Sequence, residues 1–205
     1  MEKGYKLVTT STDAVKGDIS LLDGNELKRY KRFIKEQKKE EFLIARTFLK
    51  YTLAKELGIL PKQLSLSYTD NGKPYLSPIY GEKAIFFNIS HSNGYIVIVL
   101  SDKEIGVDVE PISQLDESKL KWFLSSQELK EVQSIANDAT RKLALFHLFT
   151  MKEAFIKATD KTYQLGSFNF WYINKQWVLE VGELHNWKFD LKTIGNEIAI
   201  AVCYQ

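Results

Sequence analysis

Gly106-Val107-Asp108-Val109-Glu110, preceded by Ile105 and followed by Pro111, is the stretch from which the rest of the chain can be read. Ile105, Val107 and Val109 alternate with Gly106, Asp108 and Glu110. Side chains of an extended strand point alternately to its two faces, so both carboxylates share one face, about 7 Å apart. A second stretch, Lys152-Glu153-Ala154-Phe155-Ile156-Lys157, reads as helix. Residues four apart in a helix sit one turn above each other, so Glu153 and Lys157 also share a face. A third acid and a cation can then meet the first pair. Carboxylate oxygens suit a hard divalent cation such as magnesium, which keeps waters and is completed by substrate phosphates, and a lysine suits a phosphate oxygen. Asp108, Glu110 and Glu153 are therefore candidate metal ligands, Lys157 is a candidate phosphate contact, and phosphoryl chemistry is the implied reaction class.

Each stretch also has a plainer reading. The acids could be the wet face of an edge strand, which Pro111 would end equally well. Glu153 and Lys157 could be a surface ion pair worth a few tenths of a kcal/mol. The surrounding pattern bears on the choice. Ala144, Leu148, Met151, Phe155 and Ala158 form one apolar stripe at helical spacing, while Phe146 and Phe149 lie toward the side that carries Glu153 and Lys157. A helix apolar on both sides is packed on both sides, which predicts partial desolvation of the two charges.

Taken in order along the chain, these residues resemble a 4′-phosphopantetheinyl transferase of the Sfp type. Gly106, Asp108 and Glu110 match the family's Gly-x-Asp-x-Glu strand. Phe149, Thr150, Lys152, Glu153, Ala154 and Lys157 match its second signature, with Phe149 where tryptophan is frequent and Thr150 where serine is. Gly72, Lys73 and Pro74 match a Gly-Lys-Pro turn, and Asn88, Ser90 and His91 match an Asn-x-Ser-His segment. The resemblance runs from about Leu27 to the C-terminal strands. It implies an α+β fold of two similar halves related by a pseudo-twofold duplication, with coenzyme A in a cleft between them. It also implies that Arg46 contacts the nucleotide 3′-phosphate, that the turn bearing Lys73 and Pro74 lies along the adenine with Lys73 near phosphate, and that Ser90 and His91 reach the cofactor, His91 at a phosphate.

Composition narrows the setting. A chain of 205 residues with 44% hydrophobic and 26% charged residues can bury a sizeable core as one large or two small domains. A formal net charge of +2 implies no bulk attraction to nucleic acid. Seven basic residues between Lys28 and Lys39 read either as a phosphate-facing patch or, for most of them, as a solvated helix face. The single cysteine, Cys203, closes an alternating apolar strand and reads as core. No apolar run approaches the roughly 20 residues of a membrane span, and no signal-like region follows Met1, so a cytoplasmic protein with no membrane partner is expected. A monomer is the expected state.

The remaining elements follow local signals. A strand is predicted around Tyr5 to Thr9, and helix from Leu21 to Gly58 with a break near Lys35 to Lys39. A short strand is predicted at Leu64 to Tyr68. Strands at Ala84 to Ser90 and Tyr95 to Leu100 flank a His91-Ser92-Asn93-Gly94 turn. Ser125 and Glu128 have capping-box spacing, helices run to about Thr159, and four strands follow from Phe168 to Val202. Strand, turn and apolar strand recur at Asn88 to Leu100 and at Phe189 to Val202, an echo that fits the implied duplication. The expected division is 1–103, with the nucleotide and 3′-phosphate contacts, and 104–205, with magnesium and the catalytic residues.

The activity implied is transfer of 4′-phosphopantetheine from coenzyme A to a serine of an apo acyl or peptidyl carrier protein, in fatty acid or nonribosomal peptide biosynthesis, with release of adenosine 3′,5′-bisphosphate. Magnesium on Asp108, Glu110 and Glu153 would neutralise the leaving phosphate. Glu153 and Lys157 are the catalytic candidates: Glu153, directly or through a water, as base for the serine hydroxyl, and Lys157 as a fixed cation on the phosphates. Lys152, about 100° around the helix from Glu153, is expected to contact an outer part of the cofactor or the carrier protein. Lys119 to Leu124, apolar and basic together, could dock that carrier or tuck Trp122 and Phe123 into the core. Two other functions fit the residues: a non-catalytic coenzyme A binding module, and a magnesium-dependent phosphohydrolase that uses water.

Overall fold

The computed structural model describes residues 4–80, 85–112, 123–161, 168–173, 176–179, 186–195 and 197–205. Contacts divide the chain into two compact units, Met1–Asp102 and Lys103–Gln205. Both are mixed α+β, and both run through the same order of elements.

In the first unit, strand β1 (Tyr5–Ser11) precedes helices α1 (Gly24–Arg32) and α2 (Glu36–Leu57). Asp23 starts α1 with a capping box: its side chain accepts from the Asn25 and Glu26 amides, and Glu26 Oε2 accepts from the Asp23 amide at 3.0 Å. The helix break falls slightly earlier than the sequence suggests, at residues 33–35. Phe33 turns extended there and places its ring 5.3 Å from that of Phe42. Gly58 ends α2 at φ 68°, in the left-handed region glycine tolerates. A small hairpin, β2 (Leu66–Tyr68) and β3 (Pro74–Leu76), is followed by β4 (Phe86–Ser92) and β5 (Tyr95–Ser101). The three long strands form an antiparallel sheet in the order β1-β5-β4. Leu49 and Leu53 of α2 pack with Phe87, Ile98 and Leu100 to form its core.

The sequence expectation that His91 and Ser92 belong to a four-residue turn needs correcting. Asn93 at φ 47° and Gly94 at φ 80° make the reversal alone, while His91 pairs with Ile96 and Ser92 with Tyr95. Two residues with positive φ suffice for a hairpin turn whose twist matches that of the strands, so β4 continues to its edge.

The second unit repeats the order: β6 (Ile105–Pro111), helices α3 (Ser126–Ser134) and α4 (Asp138–Thr159), a small hairpin of β7 (Phe170–Ile173) and β8 (Gln176–Leu179), then β9 (Lys188–Ile194) and β10 (Ile198–Tyr204). Its antiparallel sheet is ordered β6-β10-β9, so here too the first strand pairs with the last. The two long helices have the same length, 22 residues each. Leu148, Met151, Phe155 and Ala158 of α4 pack with Ala199, Ala201 and Cys203 of β10 in one core. Phe146 on the other side of α4 is equally buried, so the helix is covered all round there. Among the described residues, no helix is long and apolar enough to cross a membrane.

Candidate active site

Strand β6 and helix α4 are in backbone contact, and Gly106 is the reason. A Cβ at this position would run into the Ala154 carbonyl and the Ala158 backbone, lying 2.9 Å from Ala158 Cα. Across the ladder, Gly106, Asp108 and Glu110 stand opposite Cys203, Ala201 and Ala199, small residues that belong to the core beneath α4. The acidic face of β6 is therefore the helix-covered face, not a wet one. Asp108 is 2% exposed.

Close approach brings the helix charges onto that face. Lys157 Nζ donates to Asp108 Oδ1 at 2.6 Å, a charge-assisted bond between a buried carboxylate and a partly exposed ammonium. Glu153, one turn earlier on α4, is half-buried. Burial first, and then the charge of Asp108, hold its carboxyl above the usual carboxylate range, while Lys157 works the other way. Two carboxylates thus repel across a partly desolvated space with one ammonium between them. Glu110, two residues beyond Asp108 on the same face, is also half-buried.

Such a donor set fits a hard cation, which would relieve the Asp108–Glu153 repulsion. Among the described residues, however, no group of three or more His, Cys, Asp or Glu side chains is gathered as a metal site. The ammonium of Lys157 stands on Asp108 instead.

Lys152 is not where the sequence suggests. Its side chain is fully buried, with Nζ 2.7 Å from Glu128 Oε2, donating also to the Phe123 and Phe168 carbonyls and lying over the Phe168 ring. Glu128 in turn accepts from the Ser125 amide at the start of α3 and from the Phe170 amide at the start of β7. The turn of about 100° from Glu153 points Lys152 into the protein, where it ties α3, α4 and β7 together, rather than toward a cofactor or partner. Burial lowers the pKa of Lys152 and the Glu128 bond raises it. The capping-box spacing located Glu128 but gave no sign of this second role.

In the first unit, Arg46 on α2 is buried with its guanidinium 5.3 Å from the Phe42 ring centroid and Nε 3.6 Å from Glu26 Oε1. It lines a cavity of about 270 Å³ together with Asn25, Glu26, Arg29, Phe42, Tyr68 and Gly72. Gly72 is the first residue of the Gly72-Lys73-Pro74 turn, so Arg46 and that turn come together. The Lys73 amide donates to Thr69 Oγ1, which stiffens the turn, and Pro74 opens β3 as a buried residue. Ser90 is buried and His91 half-buried on β4; neither is among the lining residues of the cavity. Glu26 and Lys50 were not singled out from sequence. Both are buried, with Lys50 Nζ 2.8 Å from Glu26 Oε2 and 2.6 Å from the Leu21 carbonyl. The Asp23–Glu26 capping spacing could have located the acid. Of the candidate docking segment, Lys119 to Trp122 lie outside the described residues, and Phe123 packs against the Phe149 ring at 5.3 Å.

Fold and site together define an α+β protein in which a strand carboxylate, Asp108, and a helix carboxylate, Glu153, are brought near one ammonium, Lys157. Residues 104–203 match the family described as the 4′-phosphopantetheinyl transferase superfamily, and residues 9–103 match that described as 4′-phosphopantetheinyl transferase, N-terminal. The chain belongs to the 4′-phosphopantetheinyl transferase superfamily. A Synechocystis sp. protein bearing the name "Putative 4′-phosphopantetheinyl transferase" is 37% identical over 158 residues, which are 76% of this chain and 63% of that protein. The 4′-phosphopantetheinyl transferase HetI of Nostoc sp. is 33% identical over 67% of this chain and 59% of its own length. The chain thus spans about three fifths of the length of these relatives. The crystal structure of Thermotoga maritima holo-[acyl-carrier-protein] synthase matches with a TM-score of 0.43 and 21% identity, over 49% of this chain and 61% of that one.

Proposed function

We propose that this protein transfers 4′-phosphopantetheine from coenzyme A to a serine of an apo acyl or peptidyl carrier protein, as an Sfp-type enzyme. The observation that carries the reading is the Asp108–Lys157–Glu153 constellation, held by the backbone contact at Gly106 in a chain of this superfamily. The serine oxygen attacks the phosphorus that bears the pantetheine arm. That phosphorus loses its bond to the bridging oxygen of the pyrophosphate, and adenosine 3′,5′-bisphosphate leaves with that oxygen. Glu153 takes the serine proton, directly or through a water. Lys157, partly exposed beside Asp108, presents its ammonium to the phosphates, where positive charge is worth most as negative charge shifts to the leaving group. Asp108, Glu110 and Glu153 would hold magnesium, which supplies further charge neutralisation at the pyrophosphate.

Recognition of the nucleotide falls to the first unit, residues 1–103, and the chemistry to the second, residues 104–205. Arg46 binds the 3′-phosphate within its cavity, Lys73 and Pro74 line the path of the adenine, and Ser90 and His91 reach the phosphates. The protein acts in the cytoplasm as a monomer, without nucleic acid or membrane. The test is mass spectrometry of an apo carrier protein incubated with the chain, coenzyme A and magnesium. A mass gain of one phosphopantetheine arm on the carrier serine is expected. Coenzyme A bound but unconsumed would make the protein a binding module, and coenzyme A hydrolysed with the carrier unmodified would make it a phosphohydrolase.

A further inference from the structure

Tyr68, the last residue of β2, stands in the wall of the Arg46 cavity. Its hydroxyl is shielded from solvent and makes no hydrogen bond within the protein; the same holds for Nη1 of Arg46. The carboxylate nearest to hand, Glu26, is only half engaged, because its Oε1 is likewise buried without a hydrogen bond. Its Oε2 takes Lys50 at 2.8 Å and the Asp23 amide at 3.0 Å, while its Oε1 faces Arg46 Nε at 3.6 Å. Buried polar groups are nearly always hydrogen-bonded, and the exceptions gather where a ligand completes them. Here two buried donors and one buried carboxylate oxygen meet at one cavity, none of them hydrogen-bonded to another. Lys50 neutralises Glu26, and Arg29 and Arg46 of the cavity wall outnumber the nearby Asp23, so an acceptor with negative charge suits both donors.

We propose that Tyr68 is a specificity-determining residue: its hydroxyl donates to the same phosphate that Arg46 binds, and so adds to the preference for the 3′-phosphorylated nucleotide. The proposal rests on the assignment of this cavity to the 3′-phosphate of coenzyme A. Burial raises the pKa of the phenol above its ordinary range, Arg46 opposing and Glu26 and Asp23 adding to it, so the hydroxyl stays protonated and can only serve a phosphate as a donor. The hairpin keeps it in place, because the Thr69 amide donates to the Lys73 carbonyl and the Gly72 amide to the Thr69 carbonyl immediately beyond Tyr68. A tyrosine retained for packing alone would be served as well by phenylalanine, which lacks the unsatisfied group.

Tyr68→Phe tests this in the full chain. Calorimetry with coenzyme A and with 3′-dephospho-coenzyme A, for wild type, Tyr68→Phe and Arg46→Gln, is read beside the melting temperature of each free protein. For Tyr68→Phe, coenzyme A affinity should fall about tenfold, as for a lost bond to a charged group, with dephospho-coenzyme A affinity unchanged within twofold and melting unchanged or higher. Equal losses for both nucleotides, or no loss for either, overturn the role of Tyr68. So does a lower melting temperature with the preference intact, which would mean that the hydroxyl bonds Glu26 instead. Loss of the preference in Arg46→Gln but not in Tyr68→Phe removes Tyr68 alone. Absence of any preference in wild type, or its survival in both variants, removes the cavity assignment and the proposal with it.

Discussion

Replacing Gly106 by alanine adds one methyl group at the point where β6 touches α4. Its Cβ would meet the Ala154 carbonyl, the Ala158 amide and Ala158 Cα, the last at 2.9 Å. All three are backbone atoms of a helix buried on both sides, so no side chain can rotate out of the way. Ordinary carbon contacts begin at about 3.5 Å, so relief requires α4 to withdraw by roughly an ångström. Overpacking of this kind costs about 1–3 kcal/mol, and a clash with rigid backbone belongs at the upper end. About 3 kcal/mol lowers the melting temperature of a chain this size by roughly 6–12 °C. Activity should fall further than stability suggests. Glu153 and Lys157 ride on the displaced helix and Asp108 stays on the strand, and a misplacement of about 1 Å can cost on the order of a hundredfold in rate. Thermal melting and carrier-modification kinetics on the folded variant measure the two effects separately. A Gly106→Ala protein that melts within about 2 °C of wild type and transfers at the wild-type rate would refute the claim that this contact holds the site.

Two further perturbations test the electrostatics. Burial and Asp108 raise the Glu153 pKa in the folded protein, so the folded state binds the proton more tightly than the unfolded one. Stability therefore falls as pH rises from the ordinary carboxylate value through the raised one, and stays lower above it. In metal-free protein, Glu153→Gln should melt higher than wild type at about pH 7, with the advantage shrinking toward about pH 4; an advantage that grows in acid would reverse the assigned sign. Glu128→Ala strands the fully buried Lys152 ammonium and should cost about 3–5 kcal/mol in urea denaturation. The double change Glu128→Gln and Lys152→Met should recover much of that loss, and a single-variant cost below about 1 kcal/mol would show that the pair does not hold α3 to α4.

Parts of this arrangement are written locally. Asp108 and Glu110 share a face because they are two apart in a strand, and Glu153 and Lys157 because they are four apart in a helix. Asn93-Gly94 specifies its own turn, although the strand runs two residues further than His91 and Ser92 suggest, because the turn needs only the two residues with positive φ. The recurring hairpin at the end of each unit is likewise legible from periodicity and turn residues, whereas β3, only three residues long, carries no such pattern.

Periodicity states which residues share a face and is silent about what covers it. Nothing local says that the acidic side of β6 lies beneath α4, and a wet edge would carry the same alternation. Tertiary packing decided that, through a glycine that admits the helix backbone and through the small residues of β10 opposite. The bond that joins Lys157 to Asp108 spans 49 residues, and the one that buries Lys152 on Glu128 spans 24. Charges so far apart in sequence carry no mutual signal until the chain is folded, and desolvation, which sets both their strength and the proton affinity of Glu153, depends on atoms from several elements at once. The same holds for the Glu26–Lys50–Arg46 cluster and for the unbonded hydroxyl of Tyr68. The sequence by itself determined the elements and the spacing of the acids, while the fold determined which charges are paired, which are buried and which face a cavity, because solvent exclusion is a property of the packed whole.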